Sequence, residues 1–452
     1  MVATEESCRD WNAARALVLS FVAIAAFVWL YQISPKLTLG ALYGWTIATL
    51  VLLTALKLAA VIVALKPRKQ NATEPPLTLR MPTVSILVPL FREKEIARHL
   101  VRRLSRIDYP HALLDVCLLV EQEDLTTRQA LLETPLPRWM RAIPVPQGTL
   151  QTKPRALNYG LGFTRGSIVG IYDAEDAPDP QQIQFIAKEF MRRPQNVACL
   201  QGALDFYNAG QNWLSRCFAI EYATWFRIVL PGLERLGLVI PLGGTTLFFR
   251  RHVLEELGGW DAHNVTEDAD LGVRLARHGY KTELVPTVTH EEANCRTWPW
   301  IKQRSRWLKG YAITYGVHMR QPSRLLRDLG LWRFFGVQLL FLGSLTQFAL
   351  APLLWSFWAI PLGLGHPLGS FLPSQAFALL GGIFLAAEFT NLAAAVLAAR
   401  MSGRNWLIKW APTLHVYFPL AALAAWKGLA ELLWKPFYWD KTEHGIGLPD
   451  RK

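Results

Sequence analysis

Three short motifs carry residue types that can do chemistry at their spacing. Asp173-Ala-Glu175-Asp176 follows directly on the β-branched run Ile168-Val-Gly-Ile-Tyr172, so three carboxylates in four positions stand at the end of a buried strand. Acids so crowded repel one another unless something cationic sits among them. One reading is an acidic turn that caps the next helix; the other is a hard divalent ion held by one or two carboxylates and completed by phosphate oxygens and water. The position after a strand favours the ion. Thr266-Glu267-Asp268-Ala-Asp270 places Thr and acids where a helix starts. Capping accounts for Thr266 and one acid, which leaves a carboxylate for general-base work. In Gln303-Arg-Ser-Arg306-Trp307 the amide, guanidinium and indole fall at i, i+3 and i+4 of a helical stretch. They share one face and together can grip a phosphate and stack on a sugar ring. An amphipathic helix at a membrane surface uses the same residues, and the two readings are compatible.

Weaker signals fall at the same kind of place. The run ending Val88-Pro-Leu-Phe91-Arg-Glu93 and the run ending Val120-Glu121-Gln-Glu-Asp124 put an aromatic ring and acids just past two further strands. Solvated loop acids are the plain account of each alone; a carboxylate there can also accept hydrogen bonds from a nucleobase or ribose, with Phe91 as an apolar ring face. Lys153-Pro-Arg opens a helix, which suits a phosphate-bearing ligand. Gly243-Gly-Thr-Thr246 precedes the apolar run Leu247-Phe-Phe249, and a tight turn suffices to explain it.

The elements that must position these groups alternate. Runs at 83–88, 116–120, 168–172 and 197–201 read as buried strands, and 95–105, 153–163 and 180–193 as helices between them. That pattern predicts an α/β domain with a mostly parallel sheet, whose ligand groups gather where strands end and helices begin. Apolar runs at 16–33 and 39–65 precede this domain, and each is long enough to cross a hydrocarbon core of about 30 Å. They read as a hairpin of two retained spans, followed by Lys66, Arg68 and Lys69, which places the next segment on the cytoplasmic side. Apolar runs at 334–362, 371–399 and 406–434 follow Arg320, Arg324, Arg327 and Arg333. Three full spans there would leave the tail outside. A re-entrant last segment, suggested by Pro412, Pro419, Lys427 and Glu431, would leave it inside.

Composition agrees. Of 452 residues 51% are apolar and 18% charged, against about 45–50% and about 25% in soluble domains, so the whole chain is not one water-soluble globule. The net charge of +13 is spread without a long Lys/Arg run, which fits positive-inside bias and gives no indication of nucleic acid binding. Five separated cysteines without CxxC spacing argue against a zinc site and a secreted disulfide framework.

A strand-end acid, a Lys helix start, an Asp-x-Glu/Asp cluster, Thr-Glu-Asp and Gln-x-x-Arg-Trp occur here in one order. That order resembles the processive family-2 membrane glycosyltransferases, the group of cellulose, mannan and hyaluronan synthases, over about 84–321 and the flanking spans. The resemblance implies a GT-A (Rossmann-like, nucleotide-sugar-binding) domain inserted between transmembrane helices. Its parts would be a transmembrane hairpin at 1–70, a linker at 71–82, the cytoplasmic catalytic domain at 83–321, an interfacial helix and transmembrane region at 322–434, and a tail at 435–452. By resemblance, Phe91, Glu93 and Glu121 line the base and ribose and Lys153 lies near the diphosphate. Asp173 and Glu175, with Asp176 sharing or taking the second place, bind Mg2+ or Mn2+. Asp268 is the catalytic base, and Gln303, Arg306 and Trp307 sit near acceptor and diphosphate. Glu175 and the Glu121-Gln122 pair depart from the family's more common Asp residues. The tail segment Phe437-Tyr-Trp-Asp-Lys-Thr442 resembles gating segments of some relatives, which would require a cytoplasmic C-terminus. The implied activity is inverting transfer from a UDP- or GDP-sugar to a growing β-linked polysaccharide at a bacterial inner membrane, coupled to secretion and open to export partners. A lipid acceptor, or a nucleotide-binding transporter or scaffold, is the alternative.

Overall fold

Valine, isoleucine and leucine dominate Val84–Leu90 and Leu114–Glu121, and nearly every position in both is buried, as expected for strands covered on both faces. The computed structural model describes residues 2–67, 80–93, 96–360, 362–370 and 372–438. Most of the expected linker 71–82, the helix start at Glu95 and the tail beyond Tyr438 lie outside the described residues. Among the described residues, eight strands form one sheet in the order β3-β2-β1-β4-β7-β6-β8-β5. They are β1 (Val84–Leu90), β2 (Leu114–Glu121), β3 (Met140–Val145), β4 (Ile168–Ile171), β5 (Ala177–Pro178), β6 (Val197–Phe206), β7 (Leu247–Arg250) and β8 (Lys281–Glu291).

Parallel pairing joins β1 to β2 and β4, β2 to β3, and β6 to β8. The reversed strand β7 pairs antiparallel with both β4 and β6, and β5 pairs antiparallel with β8. The mostly parallel expectation is thereby corrected to a mixed sheet in which β7 and β5 run against the rest. The reversal matters for the site. The turn entering β7, Gly243 to Thr246, lies at the same sheet edge as the carboxyl ends of β1, β2 and β4.

Helices α1 (Ala13–Ile33) and α2 (Pro35–Ala64) precede the sheet. Around it lie α3 (Ile96–Leu104), α4 (Leu125–Leu132), α5 (Lys153–Leu161), α6 (Gln182–Arg192), α7 (Trp213–Thr224), α8 (Leu230–Arg235), α9 (Arg251–Glu256) and α10 (Glu267–Arg277). The chain continues through α11 (Thr297–His318), α12 (Pro322–Val337), α13 (Ser344–Ala349), α14 (Ala351–Trp355), α15 (Ser374–Met401), α16 (Leu414–Tyr417) and α17 (Pro419–Trp434). Leu100, Leu104, Ile183 and Ile186 of α3 and α6 pack with Ile86, Val116 and Phe248 in one core. Leu157, Leu271 and Val273 of α5 and α10 pack with Leu87, Leu119 and Phe249 in the other. Successive strand residues face opposite cores, so the sheet is the middle of three layers.

Among the described residues, four helical segments are long and apolar enough to cross a membrane: α1, α2, Pro322–Ala349 and α15. The third begins earlier than 334, contains a break at Gly330 (φ 72°, ψ 165°), and passes from α12 to α13 through a π turn at Gln338–Gly343. The expected single run 406–434 is instead two helical pieces, Asn405–Tyr417 and Pro419–Trp434, bent by 46°. Pro412 and Pro419 each remove a backbone donor, which breaks the run. Helix α1 has no fully buried residue and is exposed along most of its length.

Candidate functional site

The acidic turn after β4 is built by its own third carboxylate. Asp176 is fully buried and its Oδ2 accepts from the Asp173 amide (2.8 Å) and from the Thr245 hydroxyl. It thereby fastens the turn to the loop entering β7. Burial and the nearby charges of Asp173 and Glu175 push the Asp176 carboxyl well above its ordinary range. The side chain is absent from the cavity wall, whereas Asp173 and Glu175 both line it.

Opposite Asp173 stands the start of α5. Thr152 caps that helix through the Arg155 amide, and Lys153 extends its Nζ to 2.5 Å from Asp173 Oδ1 and 2.9 Å from the Gly244 carbonyl. The surrounding acids, with Asp173 foremost, hold the Lys153 ammonium in its charged form despite burial. Gly244 presents bare backbone: a methyl group there would lie 3.5 Å from Asp268 Oδ2 and 3.9 Å from Lys153 Nζ. Asp173, Lys153 and Asp268 are thus brought together around one glycine.

Asp268 is held at the start of α10 with its Oδ1 accepting from the Ala269 amide at 2.8 Å. The Thr266 hydroxyl does not cap this helix, contrary to expectation. It lies instead against Asn264 and Gly310, so close to the latter that a methyl group on Gly310 would come within 2.2 Å of Thr266 Oγ1. Close approach of α11 takes precedence over the cap. The Asn264–Thr314 hydrogen bond (3.0 Å) and the His318–Asp270 contact (3.1 Å) tie α10 to α11 further along. Burial raises Asp268 above its usual range, and burial with the Asp268 charge beside it lifts Glu267 to about 7.

Helix α11 brings Gln303, Arg306 and Trp307 to the same cavity wall. Burial lowers the Arg306 pKa, and the charges of Glu267, Asp268 and Asp173 act against that loss. Gln303 accepts from Asn294 at 3.0 Å. Trp307 lies under the Arg304 guanidinium, 4.8 Å from it, in a cluster with Phe218 and Tyr222. Phe91, Glu93 and Glu121 line the far side. The Glu121 carboxylate already receives Arg155 Nη1 at 3.2 Å on each oxygen, and the Phe91 ring carries the Arg92 guanidinium 5.0 Å from its centre.

Several cavity residues carried no motif. Glu291, at the end of β8, lines the wall with Oε1 buried and without a partner, and burial with Asp176, Glu175 and Asp173 drives its pKa well up. Glu221 of α7 binds Arg304 at 2.5 Å and receives the Tyr417 hydroxyl at 2.5 Å. A signal existed for Arg304, one residue inside the Gln-x-x-Arg-Trp motif. None existed for Glu291, because Pro286 conceals its strand.

Among the described residues, no group of three or more His, Cys, Asp or Glu side chains is gathered to hold a metal ion unaided. Asp173 and Glu175 nevertheless both line the cavity, two carboxylates facing one space. That donor set fits a divalent cation whose remaining positions are filled by substrate oxygens and water. The cavity, about 700 Å³, runs on from these groups between the apolar helices, past Lys57 of α2, Leu340, and Glu388 and Asn391 of α15.

Comparison with known proteins gives a consistent answer. A family model described as "Glycosyltransferase like family 2" matches residues 82–310. A probable glycosyltransferase, YdaM of Bacillus subtilis, is 25% identical over 267 residues, 58% of this chain and 63% of that one. The beta-monoglucosyldiacylglycerol synthase of Synechocystis is 26% identical over 408 residues, 80% of this chain and 83% of the relative. Cellulose synthase 1 catalytic subunit of Komagataeibacter xylinus is 28% identical over 304 residues, 65% of this chain but only 38% of the subunit. Among solved structures, mannosyltransferase PcManGT from Pyrobaculum calidifontis, in complex with GDP-Man and Mn2+, superposes with a TM-score of 0.54. The match has 17% identity and covers 87% of this chain and 99% of that one, a likeness of fold.

Proposed function

The chain belongs to the glycosyltransferase like family 2, with a GT-A fold and hexosyltransferase relatives, and on that premise we propose that it is a membrane-embedded inverting enzyme. It moves a hexosyl group from a UDP- or GDP-sugar to a hydroxyl on a growing β-linked polysaccharide held among its apolar helices. The observation that carries this reading is that Asp173, Lys153, Asp268 and Arg306 face one cavity, which continues between α2 and α15. The scaffold alternative gives way to an enzyme.

Asp268 takes the proton from the acceptor hydroxyl as that oxygen attacks the anomeric carbon. Arg306 and Lys153 present positive charge where the departing diphosphate gains negative charge. Phe91, Glu93 and Glu121 hold the base and ribose, with Arg155 orienting Glu121, while Gln303 and Trp307 hold the acceptor. Base and leaving group on opposite sides give a single displacement with inversion, hence a β-link from an α-donor. Asp173 and Glu175 would hold a divalent cation, which when bound neutralises the diphosphate.

Four helical segments among the described residues are long and apolar enough to cross and support the membrane reading; in this reading the bent pair is a re-entrant segment that lies against the catalytic part. Both ends of that pair touch it: Thr413 receives the Trp213 indole N–H at 2.8 Å, and Lys309 Nζ lies 2.9 Å from both Glu431 Oε2 and the Tyr438 carbonyl. These contacts support a tail on the catalytic side. Positive residues beside the spans favour the cytoplasm for that side and the inner membrane for the spans. Extensive alignment with a glucosyldiacylglycerol synthase supports a second reading, a lipid acceptor. Reconstituted protein given labelled UDP- and GDP-sugars with Mg2+ or Mn2+ distinguishes the two, since polymer is retained by size and glycolipid extracts into organic solvent. Absence of labelled product with every donor would overturn both.

Two further outcomes follow from the geometry. Trp307→Ala is expected to raise acceptor KM more than donor KM, because the indole faces the cavity beside Arg304; equal losses would assign it to packing with Phe218 and Tyr222. A base acts in its ionised form, so kcat/KM should fall as pH drops through the raised pKa of the Glu267–Asp268 pair, above the usual range of about 4. Glu267→Gln removes a like charge from beside Asp268, lowers the pKa of the base and moves this acid limb to lower pH. A limb that stayed in place in the pH–rate profile would show that the two acids are not coupled.

A further inference from the structure

The segment ahead of α1 is buried although α1 is not. Glu6, Ser7 and Cys8 are 6%, 4% and 0% exposed, in a stretch of two short 3-10 turns, Thr4–Glu6 and Cys8–Asp10. A tail that merely led into an apolar helix would be solvated. This one binds the catalytic part through specific groups. Ser7 Oγ donates to Asp261 Oδ1 at 3.0 Å and the Cys8 amide donates to Asp261 Oδ2 at 2.6 Å. Glu6 pairs with Arg277 and His278 at the end of α10, each at 3.3 Å, and Arg320 donates to the Ser7 carbonyl at 2.9 Å.

Asp261 belongs to the loop that delivers Asp268. The opposite side of that loop is fastened to α5, where Lys153 begins: Thr152 donates to the Ala262 carbonyl at 2.8 Å, and the Trp260 amide donates to Asn158 at 2.9 Å. The loop that carries Trp260, Asp261 and Ala262 thus connects the donor-side helix, the base-bearing helix and the N-terminal segment. Behind it, Cys8 packs with Val265, immediately before Thr266, and with Ile313 and Val317 of α11. Trp11 covers Gly316 so closely that a methyl group there would come within 2.8 Å of the indole.

We propose that residues 4–10 are a strap that sets the placement of Asp268 relative to the Lys153–Asp173 pair, with Asp261 as the positioning residue. The inference rests on the reading of Asp268 as the base. Its consequence is specific: the strap contacts Asp261, Arg277, His278 and Arg320 and, among the described residues, no donor-pocket residue, so loosening it shifts the base while the bonds with Thr152 and Asn158 still hold the α5 side of the loop. A misplacement on the order of 1 Å costs up to about 100-fold in rate.

The test uses the full-length enzyme in detergent or nanodiscs. Asp261→Ala is expected to lower kcat for transfer by about 10- to 100-fold with donor KM and nucleoside diphosphate affinity unchanged. Asp261→Asn keeps one acceptor oxygen and should recover part of the loss. A second variant lacking residues 2–10 should show the same kcat-selective defect and regain rate when a peptide of residues 2–12 is added in excess. Wild-type kcat in Asp261→Ala overturns the proposal. So does a parallel fall of kcat, donor affinity and melting temperature in which neither asparagine nor peptide restores rate, because that is the behaviour of a merely structural contact. Asp268→Asn is run alongside: if it remains active the base assignment fails, whereas an inactive Asp268→Asn beside a fully active Asp261→Ala removes the strap alone.

Discussion

Asp268→Asn is expected to slow sugar transfer by about 100- to 10,000-fold, the range for a positioned general base, while nucleotide-sugar binding stays close to wild type. The substitution is nearly isosteric, and the Ala269 amide that Asp268 Oδ1 receives at 2.8 Å can still be accepted by an amide oxygen. The turn should therefore hold its shape. What is lost is the site that takes the acceptor proton. The donor side is held by other elements, Asp173 after β4 and Lys153 at the start of α5, whose mutual contact does not involve Asp268. Steady-state transfer rates set beside calorimetric or fluorescence titration of the nucleoside diphosphate would check both halves. Elongation at the wild-type rate would remove Asp268 from the role of base. Loss of nucleotide affinity in step with rate would make it a donor-binding group.

Much of this arrangement is legible in the chain because strand-end chemistry has a local signature. Ile168 to Tyr172 is an apolar run that stops on acids, and the fold places that stop at the sheet edge where ligands gather. The Gln303, Arg306 and Trp307 face needs only helical spacing, and α11 supplies it over Thr297–His318. The illegible parts are those decided by contacts distant in sequence. β3 and β8 each contain a proline, Pro144 and Pro286, which demotes them as strands in any local reading, yet both are paired in the sheet. The reversal of β7 depends on how the long excursion through α7 and α8 returns to the sheet, and four residues of strand carry no record of direction. Asp176 looks equivalent to Asp173 and Glu175 in a row of acids. The Thr245 hydroxyl, 69 residues away, together with the Asp173 amide, turns it inward.

The same distinction explains why some acids beside the site escaped notice. Glu221 stands in an otherwise ordinary helix and becomes part of the wall only because Arg304 and Tyr417 converge on it. Its role is to keep Arg304 fixed over Trp307. Arg304 is therefore the inner brace of the motif and Arg306 the outward charge, although the two are only two residues apart on one helix.

Arg306→Ala is the second large effect. Removing one well-aimed positive group from the cavity wall is expected to cost about 100- to 1,000-fold in kcat, because the charge on the departing diphosphate loses a fixed partner. Its charge also bears on Glu267, Asp268 and Asp173, which gives the substitution a second signature. Without the cation those carboxyls ionise less readily, their pKa values rise, and the acid limb of the pH–rate profile moves to higher pH. This is opposite in sign to the shift expected of Glu267→Gln. Arg306→Lys keeps the charge and loses the planar fork, so it should hold the limb near its wild-type position while recovering only part of kcat. Rate measurements across pH for both variants separate charge from geometry. A rate deficit in Arg306→Ala without movement of the limb would place the guanidinium too far from Asp268 to serve both ends of the reaction.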